Sequence, residues 1–211
     1  MDLIPIYRII HKSNLDFIIK SGKLVCSSHL EVDPNYKAIG NNTIIARRSV
    51  KPLPFDNSKR LIDYIAFYFG PRSIMLYNIH TGYGEVGKID QREIIYLVSD
   101  VKTIKNSGLD YCFTDGHGLQ TPITQFFTDL RDIGNVKFKD VNARDFSAAA
   151  EINNPGLKRR KQAEFHVYSE LDWNLISEIA VYDEEIKSVV EKILKENNSQ
   201  KTVNVNKAYY F

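Results

Sequence analysis

Residues 162–168 read Gln-Ala-Glu-Phe-His-Val-Tyr, and this run decides how the rest of the sequence is interpreted. Its two-residue alternation predicts a strand with Ala163, Phe165 and Val167 on the core side. Glu164 falls on the other side, so we expect its carboxylate to be partly exposed. An isolated Glu on a strand is most often a solvated surface residue. A basic stretch just before this strand favours instead a carboxylate that faces a cleft between two sheets.

Short β-rich segments recur along the chain on both sides of this strand. They are Pro5–His11, Tyr64–Phe69, Glu93–Val98, Tyr111–Thr114, Glu178–Tyr182 and Val203–Val205. The clearest helix is Glu184–Asn197, whose apolar residues follow helical spacing after Asp183, a favoured N-cap residue. Because strands and helices do not alternate regularly, the sequence predicts an α+β fold with antiparallel sheets and not a doubly wound parallel sheet.

Two connecting segments carry more specific predictions. Ser13 is predicted to cap a short helix after the first strand, and Gly22 is predicted to end it. Residues 27–59 lose all periodicity and accumulate Pro, Asn, Lys and Arg, which predicts a long functional loop. That segment contains Arg47 and Arg48, and neighbouring charges in a loop are usually solvated.

The composition is that of one soluble globular domain spanning residues 1–211. Of the 211 residues, 43% are hydrophobic and 26% charged, and 28 Lys and Arg against 26 Asp and Glu give a net charge of +2. This balance excludes a histone-like protein that coats nucleic acid, so any nucleic-acid site has to be local. The longest apolar runs are far shorter than the ~18 residues that a membrane span needs.

The N-terminal residues and the two cysteines indicate in which cellular compartment the protein is expected. Met1–Ile10 holds a single Arg and no small-residue cleavage site, so no secretory signal is expected. Cys26 and Cys112 lie far apart, which favours reduced thiols over a disulfide framework. We therefore expect a cytoplasmic protein with no membrane partner.

Familiar catalytic and metal motifs receive little support. Residues 82–87 spell GxGxxG, but a strand follows where a dinucleotide-binding motif needs a helix, so a turn is predicted. The five His and two Cys show neither CxxC nor HExxH spacing, and we predict no metal. No Walker A or GxSxG motif occurs. A Ser-His-Asp site assembled in space stays open, since such triads are not defined by sequence spacing.

Fragments spread over nearly the whole chain resemble one family. In order they are Ile6–His11 with Asn14 and Leu15, Arg47 with Arg48, Asp63 and Tyr64 with Phe67–Phe69, Ser73–Tyr77 with Thr81 and Gly82, Phe113–Asp115 with His117, Arg160–Glu164, and Ala208–Phe211. Together they resemble the DarT toxins, ADP-ribosyltransferases that use NAD to modify bases in single-stranded DNA. Arg8 stands where some members have His, and Ile62 and Ile74 replace a common His and a common Pro. The resemblance implies an ADP-ribosyltransferase-like fold, with two antiparallel-rich β-sheets forming a central NAD cleft and with flanking helices.

Glu164 and Arg48 match the family's catalytic positions. The resemblance implies that Glu164 binds the nicotinamide ribose, stabilises the oxocarbenium character that develops as the glycosidic bond breaks, and helps to deprotonate the attacking base nitrogen. Arg48 would orient the acceptor base and the reacting groups. NAD is then a co-substrate, and no metal is needed.

The resemblance also implies two sets of binding residues. The NAD set consists of Arg8, His11, Asn14, Leu15, Tyr68 and Arg48. The nucleic-acid set consists of Arg47, Lys51, Arg72, Ser73, Met75, Thr114, Asp115, His117, Arg159 and Arg160. Some members of both sets also suit a structural role: Tyr68 as core packing in its strand, and His117 as an ordinary turn residue. Arg47, Lys51 and the Arg159-Arg160 pair suit plain surface charge equally well.

The expected function is the sequence-dependent transfer of ADP-ribose to a base, thymine first, of single-stranded DNA, which would block DNA replication. The resemblance implies a toxin that is countered by a macrodomain antitoxin of the DarG kind. Thymine N3 is hidden in a duplex, so unpaired strands are the expected substrate. The alternatives are guanine, RNA or protein as the acceptor, and a non-enzymatic nucleic-acid-binding module.

Overall fold

The structure is a computed structural model that describes residues 3–84, 86–120 and 122–211. The strands in chain order are β1 (Pro5–His11), β2 (Lys23–Val25), β3 (Pro52–Leu53), β4 (Asp56–Arg60), β5 (Tyr64–Tyr68), β6 (Ile94–Asp100), β7 (Tyr111–Thr114), β8 (Phe126–Phe127), β9 (Glu164–Tyr168), β10 (Glu170–Asp172), β11 (Glu178–Val181) and β12 (Thr202–Val205). The helices are α1 (Leu15–Ser21), α2 (Asn42–Val50), α3 (Ile74–Thr81), α4 (Val101–Asn106), α5 (Phe138–Val141), α6 (Ala148–Asn153), α7 (Leu157–Arg160) and α8 (Glu184–Glu196). The predicted α+β class is confirmed.

One eight-stranded sheet, in the order β12-β11-β6-β1-β5-β9-β7-β8, organises the molecule. Its neighbouring strands are antiparallel except for the parallel pair of β11 and β12. Strands β1 and β6 pair over the whole of Pro5–His11, whereas β1 and β5 meet at a single register pair, Tyr7 with Tyr68. The two antiparallel-rich sheets expected from the resemblance are therefore two four-stranded halves of one sheet, parted along β1 and β5.

Apolar side chains fill both faces of this sheet. Every residue of Ile94–Val98 in β6 is buried, because one face packs on α1 and α8 and the other on α3 and the C-terminal aromatic residues. Helix α8 begins where the sequence predicts, since the Asp183 side chain accepts the Ile186 N–H at 3.0 Å. No helix among the described residues combines the length and the apolar character that crossing a membrane requires.

The predicted cap of α1 was wrong, although its predicted end is confirmed. Ser13 does not cap the helix; its own N–H is accepted by His11 Nδ1 at 3.1 Å, and α1 begins only after Asn14. Gly22 ends the helix with a φ of 70°, the left-handed conformation that glycine adopts without strain.

The loop predicted over residues 27–59 was also wrong in part, because it contains α2, β3 and β4. The Asn41 side chain caps α2 by accepting the Ile44 N–H at 3.0 Å. No residue of α2 is fully buried, so the helix has no apolar stripe for a periodicity argument to detect. The turn predicted at residues 82–87 is confirmed at Gly82 and Gly84, both with positive φ; Glu85, like Met1, lies outside the described residues.

Candidate active site

Glu164 is the first residue of β9 and is 1% exposed, so the expected partial exposure was wrong. The alternation itself is confirmed, since Ala163, Phe165 and Val167 belong to the main hydrophobic core. The error arose because the opposite face of β9 is covered as well. Its cover comes from α2 and from the turn at residues 116–118, both distant in sequence.

Arg48 of α2 and Glu164 form a close ion pair. Both Nη1 and Nη2 of Arg48 donate to Glu164 Oε1 at 3.0 Å. The second oxygen, Oε2, accepts the backbone N–H of Gly118 at 3.1 Å. A Cβ at Gly118 would lie 3.0 Å from Oε2 and 3.2 Å from a methyl carbon of Leu61, so a larger residue would force the carboxylate or Leu61 to shift. The carboxylate is thus held at both oxygens.

This environment keeps the buried carboxylate ionised. Burial by itself raises the pKa of Glu164, but the adjacent Arg48 guanidinium, the nearby histidines and the Gly118 N–H outweigh it and lower the pKa to about 2. Burial lowers the pKa of His166, 3.6 Å from Glu164 Oε2, to about 4, so that ring is neutral at physiological pH. Arg48 and Gly118 are therefore the hydrogen-bond partners of the charged carboxylate.

A cavity of about 400 Å³ opens beside the pair, where the two halves of the sheet part. Both halves contribute to its wall, as do the helices that cover them. Its lining includes Arg8 from β1, Ala66 and Tyr68 from β5, Met75 and Asn78 from α3, and both Arg48 and Glu164. A cleft of this size, with few converging polar groups, is the usual form of a small-ligand site.

Of the residues expected to bind NAD, four line this cavity. The Arg8 side chain spans the gap between β1 and β5 and donates from Nη1 to the Ala66 carbonyl at 2.9 Å. Asn14 donates to the Lys37 carbonyl at 3.0 Å and accepts the Lys37 N–H at 2.9 Å, which anchors the segment before α2. Tyr68 contacts Met75 Sδ through its hydroxyl at 3.5 Å. Arg48 completes the four.

The other two residues of that set lie elsewhere. Leu15 is fully buried in the main core. His11 is buried between Ser13 Oγ at 2.8 Å and Glu93 Oε2 at 3.3 Å, away from the cavity wall. Burial lowers the pKa of His11, although Glu93 opposes the shift. Their predicted contact with NAD stays a prediction without support from this arrangement.

The expected nucleic-acid set divides in the same way. Met75 and His117 line the cavity, and Arg47 is exposed on α2 beside Arg48. Lys51 follows α2 and is half-buried. These four surround the mouth of the site or lie next to a residue that does.

The remaining six are engaged inside the protein. Arg72 donates to the Tyr210 carbonyl at 2.8 Å and stacks on Phe211, while Ser73 caps α3 through the Leu76 N–H. Thr114 is buried and accepts the Glu164 N–H at 3.1 Å. Two further ion pairs complete the set, Asp115 with Arg159 at 2.9 Å and Arg160 with Asp140 at 2.6 Å.

Two contributors were missed by the sequence reasoning. Gly118 supplies an N–H to the carboxylate, and the Gly-His-Gly sequence around His117 was the available signal. His166 shares the face of β9 that carries Glu164, as the alternation in residues 162–168 predicts, but it was given no role in the site.

The arrangement suits stabilisation of positive charge. A buried, ionised carboxylate at a cavity wall favours a cationic transition state, and the arginine beside it can stabilise an anion. Among residues 3–84, 86–120 and 122–211, no group of three or more His, Cys, Asp and Glu side chains is placed to hold a metal ion.

Known proteins match the chain over nearly its whole length. A family model described as "ssDNA thymidine ADP-ribosyltransferase, DarT" matches residues 7–211. A DNA ADP-ribosyl transferase of Thermus sp. is 37% identical over 91% of this chain and 88% of its own. A DNA ADP-ribosyl transferase–DNA ADP-ribosyl glycohydrolase fusion protein of Thermosipho africanus is 26% identical over 92% of this chain and 46% of its own.

Solved structures agree. Thermus sp. 2.9 DarT in complex with ADP-ribosylated single-stranded DNA superposes with a TM-score of 0.89 at 34% identity, covering 99% of this chain and 96% of that one. The same protein in complex with NAD+ gives a TM-score of 0.83 at 34% identity, covering 99% and 98%. The fold, the carboxylate–arginine pair at the cleft and these matches lead to one conclusion: this chain belongs to the DarT family of DNA ADP-ribosyltransferases.

Proposed function

We propose that this chain, an NAD-dependent DNA ADP-ribosyltransferase, transfers ADP-ribose from NAD to thymine in single-stranded DNA, with Glu164 as its catalytic carboxylate. The observation that carries the proposal is the ionised Glu164, buried at the wall of the cleft and paired with Arg48. The co-substrate assignment is supported by the NAD+ complex of the Thermus relative.

The reaction breaks the bond between nicotinamide and its ribose. Nicotinamide leaves with the electron pair, positive charge develops on the sugar, and a base nitrogen forms the new bond to C1′. Glu164 lies at the cavity wall. There its negative charge stabilises the positive charge on the sugar, and one of its oxygens accepts a hydrogen bond from a ribose hydroxyl. Arg8, Asn14 and Tyr68 line the same cavity and are the proposed NAD contacts.

Removal of the proton from the attacking nitrogen requires a change at the ion pair. A carboxylate with a pKa of about 2 is a weak base while Arg48 holds Oε1. As Arg48 turns from Glu164 to the acceptor base, the pKa of the carboxylate rises and the guanidinium stabilises the negative charge that develops on the base. Arg48 thereby serves both partners of the proton transfer.

Thymine is the proposed acceptor because the family description names thymidine and because its N3 carries the proton that this pair is suited to remove. Met75 and His117, at the cavity wall, and the exposed Arg47 are the proposed contacts to the strand. Modification of N3 removes a Watson–Crick position, so the product would block replication of the template strand.

A macrodomain antitoxin of the DarG kind is the proposed partner. The Thermosipho africanus relative joins a DNA ADP-ribosyl transferase to a DNA ADP-ribosyl glycohydrolase in one chain, which pairs the modification with its removal. We propose that this chain is likewise the toxin of a toxin–antitoxin pair, acting in the cytoplasm.

The proposal is tested by incubating the protein with labelled NAD and single-stranded oligonucleotides that each contain one kind of base. We expect label in the thymine-containing strand, with a mass increase of one ADP-ribose, and none with Glu164→Gln. Label in guanine strands, RNA or protein alone would move the acceptor. Binding of DNA with no transfer to any acceptor would favour the non-enzymatic module.

A further inference from the structure

His166 occupies an unusual place behind the catalytic carboxylate. It lies two residues after Glu164 on β9, between Ala66 of β5 and Cys112 of β7, and is 0% exposed. Within the described part of the chain, neither of its ring nitrogens has a hydrogen-bond partner. The nearest charged atom is Glu164 Oε2, at 3.6 Å from Nε2.

A purely structural role explains this residue poorly. The ring packs edge-on against Tyr64, a contact that an apolar side chain would make as well. A buried ring whose two nitrogens both lack a hydrogen-bond partner has lost its hydrogen bonds to water, which is unfavourable unless a charge compensates. The compensation available here is the carboxylate that faces Nε2.

The geometry also selects the position of the ring proton. A neutral imidazole carries one N–H, on either Nδ1 or Nε2. A proton on Nε2 points its positive end at Glu164 Oε2, whereas a bare Nε2 would set a lone pair against the carboxylate lone pairs. Gly118 already donates its N–H to the same oxygen at 3.1 Å.

We infer that His166 is a positioning residue, a neutral ring whose Nε2–H, together with the Gly118 N–H, holds Glu164 Oε2 so that Oε1 faces the substrate. This inference rests on the proposed role of Glu164. When Arg48 turns to the acceptor base, the buried carboxylate loses its cation. The two donors on Oε2 then remain to fix its orientation and sustain its charge.

The tautomer is measured directly on the full-length protein, without any assay of transfer. In a protein with ¹⁵N-labelled histidine, we expect Nε2 of His166 to resonate as a protonated nitrogen and Nδ1 as a bare one, with the Nε2 signal shifting in Glu164→Gln. A proton on Nδ1, or a doubly protonated ring at neutral pH, would overturn the inference.

Kinetics separate positioning from packing. His166→Leu should lower kcat about tenfold, because Glu164 Oε2 loses one of the two N–H groups that face it, with little change in KM for NAD. His166→Gln retains an N–H donor and should recover most of that loss. Val167→Ala is the matched control: it shortens a fully buried side chain of the same strand on the opposite face, and its kcat should stay within about twofold of wild type.

Each outcome has a meaning. Unchanged kcat in His166→Leu, or Gln performing no better than Leu when both melt cooperatively, would show that the ring only fills space. If His166→Leu does not fold, the Gln variant and the tautomer decide. If the wild-type protein transfers nothing, the proposed function fails, while the tautomer still tests the contact between His166 and Glu164.

Discussion

Glu164 and Arg48, the proposed catalytic pair, come from opposite kinds of structure. Glu164 begins β9, in which four of five residues are buried and both edges pair with neighbouring strands. Arg48 lies on α2, in which no residue is fully buried, and its side chain keeps 16% exposure. We therefore expect the ion pair to open by movement of Arg48 and its helix, while the carboxylate and the core stay in place.

The largest expected effect tests the rigid partner. Glu164→Gln keeps the shape of the side chain but removes its charge, so it should lower transfer by about a thousandfold or more while NAD still binds. The amide also avoids leaving Arg48 opposite an empty site. Rates of ADP-ribose incorporation, with NAD affinity measured separately, check this, and retention of a tenth of wild-type transfer would contradict the assignment.

The second effect concerns the substrate that the two partners share. The rate at which a thymine-containing oligonucleotide is modified should fall about a hundredfold or more when the strand is annealed to its complement, because N3 is then paired. A protein with a net charge of +2 has few phosphate contacts to offset the cost of flipping a base out of a duplex. Incorporation is compared between the single strand and the duplex, with a scrambled partner strand as the control. Equal modification of both forms would refute the requirement for unpaired bases.

The third effect tests the exposed partner. Arg48→Ala should reduce transfer to DNA about a hundredfold while NAD binding falls much less, and Arg48→Lys should not restore it, because the planar fork is lost. The melting temperature should also fall, because the buried Glu164 carboxylate loses its cation, so transfer is compared at a temperature at which the variant is folded. Full rescue by Lys would show that a point charge suffices, and Ser49→Ala, at an exposed position of the same helix, is the control.

A smaller effect is expected at the support of the carboxylate. Gly118→Ala places a Cβ 3.0 Å from Glu164 Oε2, which displaces the carboxylate by a few tenths of an ångström and should lower kcat about tenfold. Gly134→Ala, where a Cβ meets nothing within 4 Å, is the control. Equal kcat for both variants would mean that the Gly118 contact has no part in catalysis.

The last effect is on stability alone. His166 has a folded pKa of about 4 against an ordinary 6.5, so below pH 6.5 the unfolded chain takes up a proton that the fold excludes. Unfolding free energy should therefore fall by roughly 1–2 kcal/mol from this group between pH 7 and pH 5. His166→Leu should remove this part of the pH dependence of the unfolding free energy between pH 7 and pH 5. Denaturant titrations at several pH values test this, and parallel curves for the two proteins would contradict it.

The sequence predicts the strands better than it predicts the site they form. Pro5–His11 and Tyr111–Thr114 were predicted with the bounds that the structure gives, because alternation and turn residues are local signals. Helix α2 was missed because none of its residues is fully buried, so its sequence has no apolar stripe at helical spacing. The burial of Glu164 was missed because its cover comes from distant segments, Arg48 lying 116 positions away in the chain and Gly118 lying 46 positions away.

The same limit applies to the basic residues. Arg72 looks like a surface cation in the sequence. Its guanidinium nevertheless donates to the carbonyl of Tyr210, 138 positions later in the chain, and stacks on the Phe211 ring. Resemblance supplied Glu164 and Arg48 as the expected catalytic positions, which local pattern could not. It could not supply which motif residues face the cavity and which serve the fold, because that depends on packing between distant segments.

The parting between β1 and β5 has a consequence for hydrogen-bonding capacity. In the middle of a continuous sheet every backbone N–H and C=O is consumed by its neighbours, so a ligand finds nothing to bind there. Here the two strands share one register pair, and the Arg8 side chain, reaching the Ala66 carbonyl, replaces part of the missing ladder. Because β1 and β5 pair at one position only within the described residues, we expect the backbone edges that face the cleft to offer hydrogen bonds to a polar substrate, where a closed sheet would expose only side chains.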